Sequence, residues 1–184
     1  MSELKVTFTL GEKDVAFLRR LIRHAGAKVK GEDPARIVAA AADLAKRVRA
    51  ANPPQYVLER VTKLENIVRL AEDKDWSLPP KKRTQVVTAL GYFAAPHDLI
   101  PDRVPGLGFL DDAIMIELVW EDFRYELGGY QEYQRYKTGG EQRPWTHVAE
   151  VKLAEKKKAI RAKIEQQEAR AAARPRGGLF GRLW

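Results

Sequence analysis

Four aspartates, Asp98, Asp102, Asp111 and Asp112, fall within residues 98–112, and His97 stands beside the first of them. Carboxylates are the natural ligands of hard cations such as Mg²⁺ and Ca²⁺. Asp98 and Asp102 flank Pro101 and can project to one side of a tight turn, where Asp111 or Asp112 would supply a third oxygen ligand. His97, its basicity raised by Asp98, is a candidate general base or metal ligand, or simply a turn histidine. The same acids have an architectural use. Leu99, Ile100, Val104, Leu107 and Phe109 must pack down, which leaves backbone N–H groups in need of acceptors. Asp111 and Asp112 are adjacent, so on a helix their side chains diverge by about 100° and one of them is expected to be an N-cap. Capping is the leading expectation. A bound divalent cation (Mg²⁺, Ca²⁺ or Mn²⁺) and direct catalysis remain alternatives. The chain contains no nucleophile elbow, no zinc-protease helix and no phosphate loop, and Gly106-x-Gly108 has neither a preceding strand nor a third glycine.

The elements that must position these acids read as helices. Lys5-Val6-Thr7-Phe8-Thr9-Leu10 alternates like a short extended arm, and Thr9 with Glu12 fits a capping box opening a first helix through Val15, Leu18, Ile22, Ala25 and Val29. Asp33-Pro34 starts a second helix, with Ile37, Ala41, Leu44 and Val48 inward, and Pro53-Pro54 ends it. A third carries Val57, Val61, Leu64 and Val68 and ends at Glu72-Asp73-Lys74-Asp75. Pro79-Pro80 opens a fourth, with Val87 and Leu90 inward. A fifth is expected from Asp111 or Asp112 to about Tyr136, bent at Gly128-Gly129, with Trp120, Phe123, Leu127 and Tyr130 inside. A sixth, highly charged, runs from about Thr146 to Ala173, with Val148, Val151, Ile160 and Ile164 as a thin apolar trace.

The predicted fold is therefore all-α: a bundle of about five helices containing a helix–acidic loop–helix hairpin, a short extended N-terminal arm and a basic C-terminal helix. Residues 1–137 form the helical domain, 138–146 a linker and 147–184 the basic helix and tail. Without cysteine there are no disulfides, and a reducing, cytoplasmic setting is expected. No signal peptide is expected. The longest uncharged run, residues 84–97, falls short of the roughly 20 residues a membrane span needs.

Charge is unevenly placed. Of the net +8, residues 1–140 carry +2 and residues 141–184 carry +6. Lys156, Lys157, Lys158, Arg161, Arg174, Arg176 and Arg182 lead into an apolar cluster, Leu179, Phe180, Leu183 and Trp184. That combination suits docking to an anionic membrane surface or to a protein partner. RNA or ribosome contact through residues 152–176 is a further alternative. Base stacking on Tyr125, Tyr130, Tyr133 and Tyr136 is not favoured, because Tyr130 falls on the expected core stripe.

Pro96-x-Asp98-Leu99-Ile100-Pro101-Asp102 followed by Pro105-x-x-Gly108-x-Leu110-Asp111-Asp112 resembles the signature of the YkvA-like family, a bacterial domain of unknown function. The resemblance covers roughly residues 80–125. It implies a helical hairpin around the motif and no particular activity. Membrane-embedded members have nearly uncharged helices flanking the motif. This chain departs from them with Lys81, Lys82 and Arg83 before it and Glu117, Glu121, Asp122, Arg124 and Glu126 after it. Charge of that density is costly inside a bilayer. The expectation is a non-enzymatic interaction or scaffold module, peripheral at the inner membrane surface or bound to a partner through its tail. A metal-dependent hydrolase or metal-stabilised domain using Asp98, Asp102, Asp111 and Asp112 is the rival.

Overall fold

The computed structural model describes residues 9–94, 108–141 and 150–173. These form seven helices: α1 (Glu12–Lys28), α2 (Pro34–Ala50), α3 (Gln55–Glu72), α4 (Pro80–Ala94), α5 (Leu110–Asp122), α6 (Arg124–Glu141) and α7 (Glu150–Ala173). No strand occurs among the described residues. The arm at residues 1–8 lies outside them, and Leu10 packs partly against the core. Helix α4 is central, packed on α1 and α2; α3 joins α2 to α5, and α7 lies along α6.

The local signals explain most of these helices. Asp33 accepts a hydrogen bond from the Ala35 amide at 2.9 Å, and Pro34 occupies the first turn of α2. The opening of α1 differs from the expected Thr9–Glu12 box. Gly11 is the N-cap, and Asp14 reaches back to accept from the Gly11 amide at 2.9 Å. The carboxylate three residues into the helix does the capping, so the hydroxyl at Thr9 is not needed.

Two expectations around the fifth helix are corrected. Neither Asp111 nor Asp112 is the N-cap; Phe109 is, with a left-handed backbone (φ 64°, ψ 12°) and its ring buried. Such a backbone is unfavourable for a bulky residue, and burial of the ring against the core holds it there. The single helix expected to reach Tyr136 is two helices, α5 and α6, separated at Phe123 (φ −110°, ψ 14°). That residue is 3% exposed, so the break serves packing; no glycine or proline causes it.

The glycines expected to bend the helix have another use. A Cβ at Gly129 would stand 2.5 Å from the Cδ1 of Ile164 and 2.9 Å from the Cγ2 of Ile160, so the bare backbone is what lets α7 approach α6. Helix α6 also continues to Glu141, past the expected helix end at about Tyr136. Ile160 and Ile164 are buried and belong to the core cluster. We expect Gly129→Ala to destabilise the fold by about 1–3 kcal/mol through overpacking. Gly128→Ala, with open space around its Cβ, should stabilise it by up to about 1 kcal/mol. Denaturant midpoints of the two variants check this, and equal shifts would refute it.

Candidate functional site

The acidic motif is seen at one end only. Asp98 and Asp102, with Pro96, Leu99, Ile100, Pro101 and Pro105, lie outside the described residues, as does His97. Gly108 is buried just before α5. Asp111 and Asp112 are both buried in the first turn of that helix, where the helix dipole favours their charge. Among the described residues no group of three or more His, Asp or Glu side chains could hold a metal ion.

The basic residues of α7 are placed more fully, and several turn inward. Glu126 on α6 is 2% exposed, and its Oε1 accepts from Arg161 at 2.5 Å and from the Trp76 indole at 2.9 Å. The Arg161 guanidinium lies 4.1 Å from the centre of the Trp76 ring and also donates to the Trp76 and Ser77 carbonyls, at 3.1 and 3.3 Å. Lys157 donates to the Asp75 carbonyl at 2.6 Å. Lys156 and Lys163 both pair with Glu132, at 2.7 and 3.0 Å. Of the four α7 cations expected to dock outward, Lys158 is the exposed one; Lys156, Lys157 and Arg161 are partly buried. Arg174, Arg176, Leu179, Phe180, Arg182, Leu183 and Trp184 lie outside the described residues.

Trp76 is the side chain that sequence reasoning missed. It is fully buried, meets Tyr133 and Tyr130 in tilted ring contacts with centroids 5.2 and 5.9 Å away, and sits in the short connection from α3 to α4. Asp73 shapes that connection. One of its oxygens accepts from the Trp76 amide at 2.7 Å and the other from Tyr130 (2.9 Å) and Gln134 (2.5 Å). Burial, helped by the bond to Asp73, pushes the Tyr130 hydroxyl up to about 12. Tyr130 and Tyr133 therefore face the interior, not a base-stacking surface. A tryptophan between acids and prolines was the available signal that this loop is buried.

A second internal pair joins Arg19 of α1 to Asp122 of α5 at 2.5 Å, with both side chains largely shielded. Burial raises the Asp122 carboxyl to about 6, outweighing the pull of the Arg19 charge. Its partner and its position at the end of α5 mark it as a tie between helices.

Positive charge without such ties gathers elsewhere. A surface cleft of about 710 Å³ opens between the end of α1, the start of α2 and the start of α4. Arg23, Lys30 and Arg83 line it, together with one acid, Glu32, over a floor that includes Ile37, Leu78 and Val87. None of the ion pairs found among the described residues uses Arg23, Lys30 or Arg83. These three residues are scattered through the sequence, and no local motif links them.

Comparison with known proteins matches residues 82–118 to a family described as "Protein of unknown function (DUF1232)". The protein of Bacillus subtilis (strain 168) called "Uncharacterized membrane protein YkvA" is 37% identical over 67 residues, covering 33% of this chain and 63% of that protein. The chain thus spans under two thirds of that relative's length. No solved structure matches.

Removing Arg161 would leave Glu126 buried without a counter-charge. We expect Arg161→Met to cost about 3–5 kcal/mol. Arg161→Met with Glu126→Gln, which keeps an acceptor for Trp76, should recover much of that loss in denaturant unfolding. An additive double variant would refute the pairing. For Asp122, the folded carboxyl titrates near 6 and the unfolded one near 3.9. The folded state thus binds more protons between those values, and this group's contribution to stability falls as pH rises from about 4 to about 6. The stability of the native chain relative to Asp122→Asn should fall across that window; a relative stability independent of pH would overturn the assignment.

Proposed function

Since the chain belongs to the YkvA-like family through its DUF1232 segment, we propose that it is a non-enzymatic interaction module that lies against an anionic membrane surface on the cytoplasmic side. Residues 174–184 and the outward cations of α7 hold it there. One contact carries the reading: Lys82 at the start of α4 forms an ion pair with Glu168 near the end of α7. It ties the C-terminal part of α7 to the start of α4, the helix that contributes Arg83 to the cationic cleft.

Three further observations support it. No helix among the described residues is long and apolar enough to cross a membrane, while the Bacillus relative is called a membrane protein. Lys152, Lys158 and Arg170 remain exposed on α7. On α1, Phe17 is 51% exposed between the exposed Lys13 and Arg20, with the Arg20 guanidinium 5.8 Å from its ring centre. An aromatic ring flanked by cations is the residue pattern of an interfacial helix.

Each basic residue close to an anionic surface contributes about 1 kcal/mol. Loss of three arginines therefore predicts a drop of order 100-fold in vesicle partition. We expect the full chain to float with phosphatidylglycerol vesicles at low salt and to be released as salt rises, and a chain ending at Ala173 to float far less. Equal flotation of the two would overturn the role given to residues 174–184.

A further inference from the structure

We propose that the cleft between α1, α2 and α4 holds the phosphate end of an individual acidic phospholipid, with the glycerol and first acyl carbons on the apolar floor. The proposal rests on the surface reading for its choice of ligand, and its geometry stands independently. A cleft of about 710 Å³ is within the range of small-molecule sites. Its cations come from separate places, Arg23 on α1, Lys30 just after it and Arg83 on α4, so they surround a volume instead of forming a stripe.

The lining selects among anions. It contains no aromatic side chain, so a nucleobase would have no ring to stack on. Its neutral hydrogen-bonding side chains are Thr84 and Thr88, few for a sugar phosphate, and Thr84 already donates to the Pro80 carbonyl at 3.0 Å. The remaining floor and walls, among them Val29, Ile37, Leu78 and Val87, are aliphatic. A charged head followed by hydrocarbon satisfies both parts. On the far side of Leu78 and Arg83 lies a second hollow of about 470 Å³, lined by Glu72 and Asp73 as well as Lys74. There the two acids offset Lys74 and Arg83, whereas the first cleft sets three cations against Glu32 alone and is the more favourable for an anion.

The floor is also held rigidly. A Cβ at Gly26 would stand 2.4 Å from the Thr88 carbonyl oxygen, and one at Gly91 would stand 2.5 Å from Val29. Helices α1 and α4 meet backbone to backbone there, so the cations they carry are positioned before a ligand arrives. Lys82, the neighbour of Arg83 on α4, pairs with Glu168 of α7, which ties the helix that lines the cleft to α7.

The test uses the full chain and dihexanoyl phosphatidylglycerol below its micelle concentration, with binding followed by amide chemical shifts. We expect shifts centred on residues 23–37 and 83–88, and affinity at least about tenfold lower for Arg23→Gln with Arg83→Gln. Thr84→Trp, which fills the cleft without changing its charge, should also abolish binding. Dihexanoyl phosphatidylcholine and inorganic phosphate should each bind at least about tenfold more weakly. The proposal is overturned if either variant binds like the native chain, if phosphate alone binds as tightly as the lipid, or if the shifts fall on α7. A chain ending at Ala173 should keep its short-chain lipid affinity, so failure of the cleft and failure of the surface reading give different results.

Discussion

The position of α7 depends on one carboxylate. Glu126 is almost completely shielded from water, and burying a carboxylate is costly unless the protein supplies a counter-charge and hydrogen bonds. Trp76 supplies one bond and Arg161 the charge. Because Arg161 also donates to two carbonyls of the α3–α4 connection, a single guanidinium joins α7 to α6 and to the turn that launches α4. Two terms divide the work. Burial of Ile160 and Ile164, at roughly 1.5–3 kcal/mol each, supplies the attraction that holds α7 down. The buried pair adds little net energy, but it accepts one register, since sliding α7 by a turn would leave both charges unmatched. The bare backbone at Gly129 lets the two isoleucines come close enough for that register.

Net charge along the sequence therefore misplaces the free positive charge. Residues 141–184 carry +6, yet Arg161, Lys156 and Lys163 are paired with glutamates of α6, and Lys157 is bonded to a carbonyl. The first 140 residues are nearly neutral in sum, but their acids and bases are not evenly matched in space. Glu117 takes Lys63 and Arg60, Asp122 takes Arg19, and Glu65 takes Arg49. Around the end of α1 and the start of α4, Glu32 is the one acid lining the cleft that Arg23, Lys30 and Arg83 face. Burial and pairing decide which charges a partner feels; a count along the chain does not.

What was legible in the sequence was what is local. Helix faces followed from apolar spacing: Val15, Ile22, Ile37, Ala41, Leu44, Val48, Val57, Val61 and Leu64 are all buried. The Asp33-Pro34 start of α2 is a short-range hydrogen bond and was readable for that reason. The chain break at Phe123 and the left-handed Phe109 were not, because burial of their rings against distant helices overrides local propensity. Trp76 and Arg161 are 85 residues apart, and no periodicity within one helix signals such a pair. The cleft follows the same rule, since its three cations are brought together by the close crossing of α1 and α4. The acidic motif is the converse case: plain in sequence, with Asp98 and Asp102 outside the described residues.

The apolar character of α4 and α5 bears on how such a chain can meet a membrane. Seven residues of α4 from Val86 to Phe93 are buried, on more than one face, and the same is true of α5 from Asp111 to Val119. Taken alone, two helices so apolar could suit lipid. Here their surfaces are covered by α1, α2 and α3, and Glu117, Glu121 and Asp122 of α5 are matched by Lys63, Arg60, Arg124 and Arg19. Exposing α4 and α5 to lipid would require stripping away those three helices and leaving the buried Asp122 without Arg19, at several kcal/mol. The surface route carries no such cost, because the cations around α1, the start of α4 and the outer face of α7 are already turned to water.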